Sequence, residues 1–181
     1  ERWRKAPQTE EFRHRSALSF LEGATVLDIG CGDGLFLERA RERGFHGHGL
    51  DISEEAIRRC RERGVLAQIG GFFDEALPFA DDAFDCVVLL DVLEHGYDPQ
   101  FVLCEAARVS RSWIVVSVPN FNSFAALLQV LCGRVPENNT PQKGHVFWFN
   151  LAVLRQLFAE AGLLIEEMRV NTVGGKIPVI G

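Results

Sequence analysis

The stretch "VLDIGCGDG", residues 26–34, sets Gly30, Gly32 and Gly34 at alternate positions directly after an apolar run. A glycine-rich turn from a strand into a helix lets a ligand reach backbone N–H groups and the helix N-terminus without meeting a Cβ. Asp51 follows 17 residues after Gly34, at the end of the next β-rich run. In a doubly wound sheet that position lies beside the turn, where a carboxylate can accept from both hydroxyls of a ribose. A tight turn alone would explain the glycines, and an N-cap alone would explain Asp51; their joint spacing points to a nucleoside-bearing ligand. The dinucleotide fingerprint is not met, because Leu35 stands where G-x-G-x-x-G requires its third glycine. With no Tyr-x-x-x-Lys pair either, a nicotinamide-dependent oxidoreductase is a distant alternative.

A second group of reactive side chains is "DVLEH", in which Asp91, Glu94 and His95 fall at i, i+3 and i+4 and would share one helical face. Such a trio could deprotonate a hydroxyl, with His95 as base, or hold a hard divalent ion through its carboxylates. A polar helix start after a buried strand is the ordinary structural explanation of the same residues. His145 precedes the aromatic run "VFWF", and is expected to line a pocket that closes over a substrate.

The elements that must position these groups alternate. "ATVLDIG" and "FHGHGLD" read as the first two strands, with "LFLERARERG" between them as a helix that Gly44 ends. "SEEAIRRCRERG" is a helix with Ser53 as N-cap. "VLAQI", "DCVVLL" and "WIVVSVPN" read as strands three to five, and Asp98 with Pro99 opens the helix before the fifth. A short helix in "FNSFAALLQVLCG", a polar loop in "RVPENNTPQKG", a helix capped by Asn150 and a sixth strand in "LLIEEMRVN" complete the pattern. The expected fold class is α/β, a Rossmann-like doubly wound, mainly parallel sheet of six to seven strands with helices on both faces. Residues 1–23 are expected to form an N-terminal helical segment, 24–181 the ligand-binding domain, and 121–144 a lid-like insert.

Composition narrows the function further. The chain has 181 residues, 47% hydrophobic, and a net charge of −6, so no excess of cations exists to neutralise a phosphate backbone and nucleic acid is disfavoured as a partner. No apolar run approaches the roughly 20 residues that span a bilayer, and no signal-peptide core opens the chain; a soluble, cytoplasmic protein is expected. Because the chain begins at Glu1 without a Met, part of a native N-terminus is expected to be missing. The five cysteines form no C-x-x-C pair, so neither a disulfide framework nor a zinc site is expected, and Cys31 and Cys86 read as structural.

These motifs, in this order, resemble the class I S-adenosylmethionine-dependent methyltransferases. "VLDIGCGDG" is similar to their first motif, "GLDIS" to their ribose-binding acid, "LPFADDAFDCVVLLDVLEHGYDP" to their fourth-strand region and "WIVVSVPN" to their fifth strand, and "GHVFWFNLAVLRQLFAEAGL" is similar to their ending. "GDG", "RGV" and "IVVSVPNF" look most like the methyltransferase-like proteins associated with methionine biosynthesis, whereas "DVLEH" looks more like the ubiquinone-type O-methyltransferases.

The resemblance implies that Gly30, Cys31 and Gly32 lie against the methionine part of the cofactor, that Asp28 orients the turn and Asp51 binds the ribose. It also implies that Ile52 covers the adenine and that Leu90 offers a carbonyl to the ammonium. Many relatives carry an acid for the adenine amino group where this chain has Phe72, in "GGFFDE"; that duty would fall to the Phe72 and Phe73 backbone or to Asp74. In the ubiquinone-type enzymes the segment like "DVLEH" is associated with a metal, which implies a divalent cation at Asp91, Glu94 and His95 here. With no N-P-P-Y-type segment, an oxygen or carbon acceptor on a small molecule is expected, with His95 and His145 as the catalytic candidates. The alternative is a non-catalytic accessory or regulatory protein that partners another enzyme. The family's antiparallel seventh strand would be expected beyond "VGGKIPVIG".

Overall fold

The computed structural model describes residues 7–121, 123–136, 144–169 and 176–180. Helix α1 (Pro7–Leu18) precedes β1 (Thr25–Ile29), α2 (Leu35–Glu42), β2 (His46–Asp51), α3 (Glu54–Glu62) and β3 (Ala67–Ile69). Then come β4 (Phe84–Leu90), a 3₁₀ turn (Leu93–His95), α4 (Pro99–Val109), β5 (Ser110–Pro119), α5 (Phe124–Leu131) and α6 (Leu151–Glu160). The short β6 (Glu167–Met168) and β7 (Lys176–Ile180) follow. The sheet runs in the order β3-β2-β1-β4-β5-β7-β6. The five strands from β3 to β5 are parallel, and β7 pairs antiparallel with β5.

Strand alternation splits the core between the two faces, because successive side chains point to opposite sides. Leu27, Ile29, Val87 and Leu89 pack against Val102, Leu103, Leu154 and Phe158 of α4 and α6. Val26, Cys86, Val88 and Val115 meet Ala17 and Leu18 of α1, Phe36 and Leu37 of α2 and Ile57 of α3. Helices thus cover both faces, as a covered parallel sheet demands. The predicted caps are made: the Ser53, Asp98 and Asn150 side chains accept from the Ala56, Phe101 and Val153 amides.

Three elements differ from expectation. The sixth strand shrinks to Glu167–Met168, and the end of its predicted span lies outside the described residues. The antiparallel strand expected beyond the chain is Lys176–Ile180. "DVLEH" forms a single 3₁₀ turn over Leu93–His95, preceded by Asp91 in the left-handed region with φ 58, so its three polar residues do not share a helical face. Residues 1–6 of the predicted N-terminal segment, and 122 and 137–143 of the lid-like insert, lie outside the described residues. No described helix is long and apolar enough to cross a membrane.

Candidate active site

The strand order reverses between β1 and β4, and the crevice beyond the carboxyl ends of these strands is where α/β sheets bind ligands. The glycine turn lies in it. Gly30, Gly32 and Gly34 have φ of 73, 55 and 78, a conformation that a side chain at each position would resist. The amides of Gly30 and Cys31 both donate to the Leu50 carbonyl, at 2.8 and 3.1 Å, which ties the turn down onto β2. Gly34 in its left-handed conformation starts α2 without a side-chain cap.

Asp51 completes the link between turn and second strand. Its Oδ2 accepts from the Gly32 amide at 2.9 Å and its Oδ1 from the Ser53 amide at 2.9 Å. Each oxygen keeps a second lone pair, so the carboxylate remains an acceptor for hydroxyls laid beside it. Next to it Ile52 is 57% exposed, an apolar side chain held over the rim rather than in the core.

A crevice of about 240 Å³ joins Asp28, Gly30, Cys31, Gly32, Leu90 and His95. Burial pushes the Asp28 carboxyl well above the ordinary carboxylate range, although the Arg13 charge opposes this. Asp51, Ile52, Phe72, Phe73 and His145 lie outside that lining. Phe72 is buried in the core and its ring meets that of Phe73 at 4.5 Å.

Two more residues, Arg13 and His14 of α1, complete the wall of the crevice. Arg13 Nη1 donates to Asp91 Oδ2 at 2.6 Å, and Ser117 Oγ donates to Asp91 Oδ1 at 2.9 Å. Asp91 is therefore committed to α1 and β5. His14 sits between Arg13 and Arg39, and burial followed by those two charges lowers it to about 3. Only the packing of α1 reveals these residues.

The metal-ligand geometry corrects the expected Asp91, Glu94, His95 set. Among the described residues, the group able to converge on one ion is Glu94, His95 and His145, whose ligand atoms lie within 4.8 Å of one another. His145 Nε2 is 3.9 Å from Glu94 Oε1, and the two imidazoles meet edge to face at 4.9 Å. His95 Nδ1 lies 3.0 Å from the Gly144 carbonyl oxygen, and the Glu94 carbonyl accepts from the Val146 and Phe147 amides. Those contacts bring the segment after the insert onto the 3₁₀ turn, pairing two motifs that stand fifty residues apart in the chain.

Comparison with known proteins agrees with this architecture. The family model described as methionine biosynthesis protein MetW matches residues 14–165. A ubiquinone biosynthesis O-methyltransferase from Thiobacillus denitrificans is 32% identical over 159 residues, covering 82% of this chain and 68% of that protein. The chain thus spans about two thirds of that relative's length. Magnesium protoporphyrin IX methyltransferase from Synechocystis, solved with S-adenosylhomocysteine bound, superposes with a TM-score of 0.75 at 17% identity, over 94% of this chain and 82% of that one. A methyltransferase from Haloferax volcanii in complex with its Trm112 activator also has a TM-score of 0.75, at 23% identity, over 96% of this chain and 91% of that one. With its crevice at the β1–β4 reversal and most of its length matched, the chain belongs to the MetW family, within the class I S-adenosylmethionine-dependent methyltransferases.

Proposed function

We propose that the protein transfers the methyl group of S-adenosylmethionine to an oxygen or carbon of a small molecule, on a doubly wound sheet of six to seven strands in a cytoplasmic setting. The observation that carries this reading is the Asp51 carboxylate bound to the Gly32 amide at 2.9 Å. It supports a ribose acceptor at the edge of a turn whose three glycines leave the backbone open to a ligand.

The crevice suits the cofactor's amino-acid end. Gly30, Cys31 and Gly32 line it, Arg13 offers a guanidinium to a carboxylate, and Leu90 ends β4 where its carbonyl can meet an ammonium. Asp28 supports the turn from below, Ile52 covers the adenine face, and the Phe72 and Phe73 backbone serves its edge. When bound, the cofactor supplies a sulfonium methyl group open to direct displacement. The protein's part is alignment and exclusion of water. His95 and His145 sit at the acceptor side, and the exposed His95 ring is the base that takes a proton from an acceptor hydroxyl.

The alternative use of the same ring is a divalent cation held by Glu94, His95 and His145, since a coordinated imidazole has no lone pair left to take a proton. One carboxylate and two imidazoles favour Mn²⁺ or Zn²⁺ over Mg²⁺ as donor types. Such an ion would lower the pKa of an acceptor hydroxyl.

Calorimetry with S-adenosylhomocysteine tests the core of this reading: micromolar binding that Asp51→Ala abolishes supports it, and no binding to the wild-type chain ends it. The accessory alternative draws on the family match to a methionine biosynthesis protein. Turnover by the isolated protein against a panel of hydroxylated metabolites decides between the two.

A further inference from the structure

Two buried cysteines meet directly beneath the cofactor turn. Cys31 is part of the turn and Cys60 lies on α3, and their sulfurs are 3.9 Å apart. Both reach the Gly32 carbonyl, at 3.9 Å from Cys31 and 3.3 Å from Cys60. Each sulfur fills space left by a glycine. A Cβ on Gly49 would lie 2.6 Å from the Cys31 sulfur, and one on Gly34 would lie 2.9 Å from the Cys60 sulfur. Cys86 is buried elsewhere in the sheet, and Cys104 and Cys132 are exposed.

We propose that Cys31 and Cys60 are an oxidisable dithiol whose closure to a disulfide by peroxide disables the cofactor turn. This rests on the assignment of that turn to S-adenosylmethionine. Cys31 lines the crevice whereas Cys60 has no exposed surface, so hydrogen peroxide arrives through the empty pocket and a bound cofactor shields the pair. Attack by the Cys31 sulfur breaks the peroxide O–O bond, giving a sulfenic acid and one water. The Cys60 sulfur then displaces the sulfenic hydroxyl as a second water and the S–S bond forms. In sum, two thiols lose two protons and two electrons to one peroxide. The hydrogen bond between the sulfurs holds Cys60 below the ordinary thiol range and, with burial, Cys31 above it. With Cys31 held as a thiol by burial, the first step is slow.

A disulfide needs its sulfurs about 2.0 Å apart, so closure draws Cys31 toward α3 by about 1.9 Å unless α3 moves instead. Gly30 and Gly32 flank Cys31 in left-handed conformations, and the backbone gives there first. The Gly32 amide then leaves Asp51.

The test treats the full reduced chain with hydrogen peroxide, with and without saturating S-adenosylhomocysteine, followed by peptide mapping and calorimetry. The expected result is a Cys31–Cys60 linked peptide and an affinity for S-adenosylhomocysteine at least tenfold weaker. Dithiothreitol should restore that affinity, and ligand should slow the linkage severalfold. Cys60→Ser, or Cys60→Ala should the serine variant not fold, should give no linked peptide. Oxidation of Cys31 to a sulfinic acid without linkage, or a linked form that binds as tightly as the reduced one, overturns the proposal. Should the reduced chain fail to bind S-adenosylhomocysteine, the cofactor reading falls while the peptide map still decides the disulfide.

Discussion

Arg13 on α1 and Asp91 at the end of β4 form an ion pair of 2.6 Å, with side chains only 20% and 15% exposed. It fastens the N-terminal helix across the mouth of the crevice, and Ser117 on β5 holds the far side of the same carboxylate. Arg13→Ala should weaken S-adenosylhomocysteine binding roughly tenfold, about 1.4 kcal/mol, as measured by calorimetry. A thermal double-mutant cycle with Asp91→Ala should return a coupling of about 1 kcal/mol. Additive effects would mean that the pair holds nothing together.

Asp51→Ala removes the acceptor of two backbone amides as well as the proposed ribose ligand. Affinity should fall by about 100-fold or more, since hydrogen bonds to a charged group contribute roughly 1.5–3 kcal/mol each. The melting temperature should fall too, because the Gly32 and Ser53 amides lose their partner. Asp51→Asn keeps one of the two acceptor oxygens, so its loss should be smaller than that of Asp51→Ala.

His14 gives the fold a pH dependence of definite sign. Its folded pKa of about 3 lies below the ordinary 6.5, so the unfolded chain binds the proton that the folded chain refuses. Stability from this group is complete above pH 6.5 and is lost as pH falls toward 3, amounting to about 2 kcal/mol between pH 7 and pH 5. Urea titrations across that range should show the slope, and His14→Gln should flatten it.

His95→Ala and His145→Ala should each reduce turnover by about 10²- to 10⁴-fold, the usual span for loss of a general base or its support. Binding of S-adenosylhomocysteine should change less than about twofold in His145→Ala, whose imidazole lies outside the crevice lining. Should chelation by EDTA depress wild-type turnover and Mn²⁺ restore it, His145→Ala should no longer respond to the metal.

Gly49→Ala tests the packing under the turn. The added Cβ would lie 2.6 Å from the Cys31 sulfur and 3.0 Å from the Ala67 Cβ, so about 1–3 kcal/mol of stability should be lost to overpacking. Chemical denaturation measures the loss, and an unchanged midpoint would show that the turn yields freely.

Much of the cofactor side is legible from residue types alone. Alternate glycines require left-handed backbone, an acid at the end of β2 must lie beside them, and Ser53, Asp98 and Asn150 announce their helices through the bonds their side chains make. The acceptor side is not legible in this way. The spacing of "DVLEH" suits a helix, but the chain turns at Asp91 because Ser117 and Arg13 capture its carboxylate. The partnership of Glu94 with His145 depends on a return of the chain that no local pattern encodes. Arg13 and His14 are equally silent, as their neighbours come from α2 and β4.

The seam between β1 and β4 divides the site by duty. The residues proposed to grip an adenosine hang on one bank, in the first two strands and their turns, where the Gly30 and Cys31 amides are tied to Leu50 and the Gly32 amide to Asp51. Those that would meet an acceptor are gathered on the opposite bank, from the 3₁₀ turn and the segment around His145. Descendants of such a protein can therefore exchange one acceptor for another by rebuilding the second bank, without disturbing the first.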